Sequence, residues 1–223
     1  SPLSTLHSPL STSRSRPPGL ASLLPARLRR PLTTDVGGTI ITNTTWTLAG
    51  SPYILTSDTV ITAGVTLTVE PGVTVMGQNY VELQVLGHLS AIGTVTQPIT
   101  FTSATNSGAN QWSGLVFLGG TGELRHATVR YGGHDNNSGL PHPYYGSNIA
   151  VRNVLTGTVT FESCAIRDES DSDNDYGLYI ENSHVVVSGT LFSGNGNNST
   201  DHALYAIGAN TVLTLAHNTF QNN

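Results

Sequence analysis

The stretch "VTLTVEPGVTVMGQNYVELQVLGHLSAIGTVTQPITFTS", Val65 to Ser103, carries the reading of the fold. Within each short run, apolar and hydroxyl side chains alternate: Val65, Leu67 and Val69 fall on one side, Thr66 and Thr68 on the other. That is the period of two of a β-strand with one buried face. Pro71-Gly72, Gly77, Gly87 and Gly93 cut the runs every few residues and mark turns. The composition agrees. The 223 residues include 24 Gly, one Met and no Lys, with Thr abundant. A helical protein would favour Ala, Leu, Glu, Lys and Gln, whereas this mixture suits Val/Ile/Thr strands joined by Gly and Asn turns.

Further along, the pattern repeats. Gly114-Leu115-Val116-Phe117, Asn148-Ile149-Ala150-Val151, Gly177-Leu178-Tyr179-Ile180 and Ala203-Leu204-Tyr205-Ala206 align. A second segment follows each, placing Leu124, Phe161, Val187 and Leu215 in one register and Val129, Ile166, Phe192 and Phe220 in another. The last four are 37, 26 and 28 residues apart, one superhelical coil plus loops of varying length. Units that read strand, turn, strand, bend, strand stack into three parallel sheets around a narrow apolar core, a parallel β-helix. Ala127, Cys164, Thr190 and Asn218 form a ladder of small side chains at the bend, which makes the single cysteine a structural one. One cysteine also excludes an intrachain disulfide framework. No apolar run reaches the roughly 18 residues of a membrane span.

Leu67-Thr68-Val69-Glu70-Pro71-Gly72-Val73-Thr74-Val75, then Leu89-Ser90-Ala91-Ile92-Gly93-Thr94, Pro98-Ile99-Thr100-Phe101-Thr102-Ser103 and Trp112-Ser113-Gly114-Leu115 are specific enough to compare. They resemble the secreted, bacterial right-handed parallel β-helix repeat proteins of the pectate-lyase-like superfamily, over residues 39–223. The resemblance implies an all-β, single-stranded, three-sheet solenoid and an extracellular or cell-surface setting. Residues 1–38 precede it as a basic Ser/Pro/Arg-rich arm. Enzymes of that superfamily cleave acidic polysaccharides, with calcium-binding carboxylates and an Arg or Lys base or with clustered Asp. Fold alone does not confer such chemistry.

General acid–base work on a glycosidic bond needs two carboxyls held about 5–10 Å apart on an outer face. Alternation puts Val116, Leu118, Ala150, Arg152, Tyr179, Glu181, Tyr205 and Ile207 outward on the first ladder. One Arg and one Glu on adjacent rungs read as an ion pair, so no catalytic residue is assigned. Tyr179 and Tyr205 are expected to stack on one another, with a sugar-binding platform as the alternative role. His126 and His217 fall at equivalent bends, and no histidine spacing matches a zinc motif.

Charge is divided along the chain. Arg14, Arg16, Arg27, Arg29 and Arg30 precede the first acid, Asp35, and the rest holds four Arg against fourteen acids. The arm is expected to dock on an acidic surface, its own or a neighbour's. Nucleic acid is not an expected partner, since the body repels phosphate and the arm lacks aromatics. Insertions 102–111, 130–147, 167–176 and 193–202 recur at one point of the coil, so they share an edge. His134, Asp135, His142, Tyr144, Tyr145, Glu169, Asp201 and His202 form its expected interaction surface. Within "RDESDSDNDYG" (167–177), Asp168, Asp171, Asp173 and Asp175 are candidate calcium ligands, although the glycine falls one place late for an EF-hand and no helices flank it. No other cofactor is expected. The chain stops on a rung, which is therefore expected to meet another molecule or further coils. Together these features point to a non-catalytic structural protein that self-associates head-to-tail into a filament or sheath, a homo-oligomer or homopolymer. The alternatives are a polysaccharide-binding or lyase-like protein and an adhesin module.

Overall fold

The computed structural model describes residues 33–133, 146–169, 175–197 and 199–223. Leu32–Asn223 forms one compact unit, and the arm with its five arginines lies outside the described residues.

Strands follow one another as successive turns of a coil. The first turn holds β1 (Thr34–Ile40) and β2 (Thr44–Trp46), the second β3 (Tyr53–Ile61) and β4 (Thr66–Val69). From there each turn has three strands: β5 (Thr74–Gly77), β6 (Glu82–Val85) and β7 (His88–Ile92), then β8 (Ile99–Ser103), β9 (Gly114–Leu118) and β10 (Thr121–Arg125). Next come β11 (Ala127–Arg130), β12 (Ser147–Arg152) and β13 (Val159–Glu162), then β14 (Ala165–Glu169), β15 (Tyr176–Glu181) and β16 (His184–Ser188). The last are β17 (Leu191–Asn195), β18 (His202–Ile207), β19 (Val212–Ala216) and β20 (Thr219–Gln221).

Every pairing is parallel, and each strand bonds to its equivalents one turn before and after. Three ladders result. Ladder A runs β6-β9-β12-β15-β18, ladder B runs β2-β4-β7-β10-β13-β16-β19, and ladder C runs β5-β8-β11-β14-β17-β20. Strand β3 bends across a corner and joins A to C, because Tyr53–Leu55 pair with β5 and Thr59–Ile61 with β6. Parallel β1 lies on β3 from Thr34 onward, so the coil starts before the boundary expected at residue 39. The register shifts within β1 between Val36 and Gly38, where Gly38 takes a φ of 76°.

The repeat registers hold residue for residue. Leu115, Ile149, Leu178 and Leu204 form one interior column. Leu124, Phe161, Val187 and Leu215 form the second. Val129, Ile166, Phe192 and Phe220 form the third. Stacking like on like lets each rung bury its inward face on the next, and the resulting core is continuous from Trp46 to Phe192.

Corners are made by single residues in the left-handed region. After ladder A these are Gly119, Asn153, Asn182 and Gly208; after ladder B, His126, Ser163, Gly189 and His217; at the end of ladder C, Tyr131, Asp168, Gly194 and Asn222. Gly, Asn and Asp reach this region at low steric cost, which explains the choice at most of these positions. Among the described residues the single helical element is the 3-10 turn Leu48–Gly50, and no helix is long and apolar enough to cross a membrane.

Candidate functional site on the outer faces

The outward side of ladder A carries an apolar and aromatic cluster. Val116, Ala150, Tyr176 and Tyr179 are buried there, with Leu118 and Tyr205 packed against them. Tyr179 stacks on Tyr205 at 5.9 Å between ring centroids and 17° between planes. Tyr176 stacks on His202 at 5.7 Å, and His202 on Tyr205 at 5.4 Å. Offset ring stacks of this kind add attraction beyond their buried area. Tyr179 is only 6 % exposed, so the surface a sugar ring would touch is Tyr205, half-buried, and His202, exposed. Tyr176, placed in a loop by the alternation count, is a true member of this face. The clue was present: Asp175-Tyr176-Gly177-Leu178-Tyr179 aligns with Asp201-His202-Ala203-Leu204-Tyr205.

Beside the rings, Arg152 Nε donates to Glu181 Oε2, and both side chains are mostly shielded. On ladder B, Arg125 pairs with Glu162 at 2.8 Å in a half-exposed bridge.

The insertions do leave from one corner, between ladders C and A. His134, Asp135, His142, Tyr144, Tyr145, Asp171 and Asp173 lie outside the described residues. Glu169, expected on the interaction edge, is instead fully buried. The reason is Asp168, whose φ of 56° breaks the strand alternation and turns Glu169 inward, in register with buried Asn195. Asp175 is fully buried as well. Its backbone N–H donates to Asp201 Oδ1 at 3.1 Å, while Asp201 Oδ2 accepts from the Asn197 N–H at 2.8 Å. Asp201 therefore ties the corner of the last complete turn together. Among the described residues, no three His, Cys, Asp or Glu side chains are grouped to hold a metal ion; of the four candidate calcium ligands, Asp171 and Asp173 lie outside those residues.

One buried polar element escaped the sequence reading. Asn148 and Asn195 are fully buried at the same corner. Asn195 Nδ2 donates to the Ile166 carbonyl at 2.8 Å and to Asn223 Oδ1 at 3.1 Å, and Asn148 Nδ2 donates to Asn195 Oδ1 at 3.3 Å. The signal was an Asn three residues after the Phe anchors, in Phe192-Ser-Gly-Asn195 and Phe220-Gln-Asn-Asn223.

At the opposite bend, Cys164 Sγ donates to the Leu124 carbonyl at 3.4 Å. Burial pushes its thiol up to about 11, a shift only partly offset by the backbone hydrogen bonds. A thiol held so firmly in its neutral form is not a nucleophile.

Parallel ladders, left-handed corners and a loop edge are the geometry of a known domain type. The family model for the pectate-lyase-like β-helix domain matches residues 38–161, more than half of the chain. The chain belongs to this family. No curated protein and no solved structure matches it. In this β-helix domain the residues beyond 161 continue the same three ladders through β20.

Proposed function

We propose that this β-helix domain is a non-catalytic structural unit of an extracellular or cell-surface assembly, and that the 223-residue chain self-associates head-to-tail through its last rung. The observation that carries this reading is that every rung is built to seat another, through parallel ladders and columns of like on like. Leu215 and Phe220 are 48 % and 49 % exposed, although they continue columns whose previous members, Val187 and Phe192, are fully buried. Strands β18, β19 and β20 each have one neighbour in their ladder, so their outer edges offer backbone groups for a further parallel strand. At the other end, β1 and β2 present edges of the same direction, with Val36 and Ile40 half-buried. A second copy seated on the last rung would continue all three ladders. Because the two ends differ, the contact is heterologous and propagates into rings or filaments. The pairing of Arg152 with Glu181 on the outer face of ladder A supports the non-catalytic part, since neither group stands ready as acid or base.

Light scattering behind size exclusion, over a range of concentrations, tests the reading against the Leu215→Glu/Phe220→Glu variant. The wild-type mass is expected to grow with concentration and the variant to remain a monomer. A wild-type chain that stays monomeric throughout would sink the proposal.

The stacked rings favour a second reading, polysaccharide binding on the outer face of ladder A. Retardation in a polysaccharide-loaded gel that is lost in Tyr205→Ala, with the mass unchanged, would select it.

A further inference from the structure

The described residues contain four arginines, and they divide into two kinds. Arg125 and Arg152 each pair with a glutamate from the adjacent rung. Arg130 and Arg167 instead stand opposite one another on adjacent strands of ladder C. Parallel neighbours lie about 4.8 Å apart, a spacing at which like charges directly opposite are destabilising. Their outward column reads Met76, Thr102, Arg130, Arg167, Ser193 and Gln221 and holds no carboxylate.

Among the described residues, the acid paired with this column is Asp168, whose Oδ2 is 3.5 Å from Arg167 Nε. Arg130 has no such partner. Its Nη2 donates to Asn106 Oδ1 at 2.9 Å, its guanidinium carbon lies 4.9 Å from the Tyr131 ring centroid, and its buried Nε has no acceptor. One of its five donors thus has a side-chain acceptor among the described residues. Tyr131 holds a φ of 61°, and with His126 and His217 it is one of the ring-bearing residues among the left-handed corners. That conformation is costly for an aromatic residue, and its effect here is to lay the ring against Arg130. Among the described residues, two cations and one anion leave the group with a net charge of +1 on a chain whose net charge is −5.

We propose that Arg130 and Arg167 form a binding site for an oxyanion of the sulfate or phosphate class on the outer face of ladder C. A planar carboxylate meets one guanidinium fork edge-on, whereas a tetrahedral oxyanion directs oxygens to two rungs at once and relieves the repulsion between them. Thr100 and Thr128, in the neighbouring outward column, supply hydroxyls beside the charge. The face is built for a polar ligand rather than an apolar one.

Calorimetric titration of the full chain at low ionic strength tests this, with inorganic sulfate, inorganic phosphate, dextran sulfate and neutral dextran as probes. Wild type is expected to bind one sulfate or phosphate per chain. In R130Q/R167Q, shown folded by circular dichroism, the affinity is expected to fall at least tenfold, and in R125Q to stay unchanged. Binding of free sulfate and dextran sulfate in competition supports a site for the ion itself. Binding of dextran sulfate alone, lost in R130Q/R167Q, supports a polymer-borne oxyanion. An equal loss in R125Q would reduce the effect to bulk charge and overturn the proposal, as would failure of the wild type to bind any of the three anionic probes. So would a chain that binds no oxyanion but loses self-association in R130Q/R167Q, because the occupant would then be a second copy.

Discussion

Replacing Asn195 tests whether the buried amide corner holds the coil in register. In Asn195→Ala the amide's three hydrogen bonds disappear, but its partners do not suffer equally. Asn148 Nδ2 keeps the Arg167 carbonyl at 2.9 Å, and Asn223 Oδ1 keeps the Asn195 backbone N–H at 3.1 Å. The group left without its side-chain donor is the Ile166 carbonyl. Each lost side-chain hydrogen bond is worth about 0.5–1.5 kcal/mol net, and two of the three partners keep another contact, so the alanine variant is expected to lose about 2 kcal/mol. Asn195→Asp should lose more. Its carboxylate would face two acceptors, the Ile166 carbonyl and Asn223 Oδ1, and would sit in register with the buried Glu169. Asn223→Ala, at the exposed end of the stack, should lose least. Equilibrium urea unfolding followed by the fluorescence of Trp46 and Trp112 gives the order directly. An alanine variant within about 0.5 kcal/mol of wild type, the range of neutral surface changes, would refute the reasoning. An aspartate variant as stable as the alanine one at pH 7 would do the same.

Two further outcomes rest on equally local geometry. A Cβ at Gly77 would lie 2.5 Å from the ring of fully buried Trp112, whose Nε1 is tied to the Arg130 carbonyl. Gly77→Ala is therefore expected to cost about 1–3 kcal/mol through overpacking and to shift the tryptophan emission, and an unchanged midpoint of urea unfolding would contradict this. Cys164, with its thiol raised to about 11 from 9.0, should resist alkylation at pH 8 in the native protein and react fully in urea. Because the folded pKa is the higher one, the thiol's contribution to stability is complete below pH 9 and is lost as pH rises through about 11. Labelling of the native chain within minutes at pH 8 would show that the bend is open.

How much of this could be read in advance differs from residue to residue. The alternation of Val65–Ser103 and the recurrence of Leu124, Phe161, Val187 and Leu215 were sufficient for the fold and its register. Each rung repeats the same choice of inward and outward side chains, and only stacking in register satisfies all of them together. The outward position of Tyr179 and Tyr205, and the adjacency of Arg152 and Glu181, followed from the same count. Glu169 did not. Counting along a strand assumes an unbroken alternation, and the left-handed turn at Asp168 reverses it, so a residue that reads as a surface acid is buried beside an asparagine stack. The sequence determined the periodic part of this protein, its ladders, core columns and corner positions, because period-two patterning acts over a few residues at a time. Tertiary structure alone decided which acids are buried and, among the described residues, which arginine stands without a counter-charge. Those properties depend on neighbours one turn away, some 20 to 40 residues along the chain in coils of this kind, and on single backbone conformations that no local pattern announces.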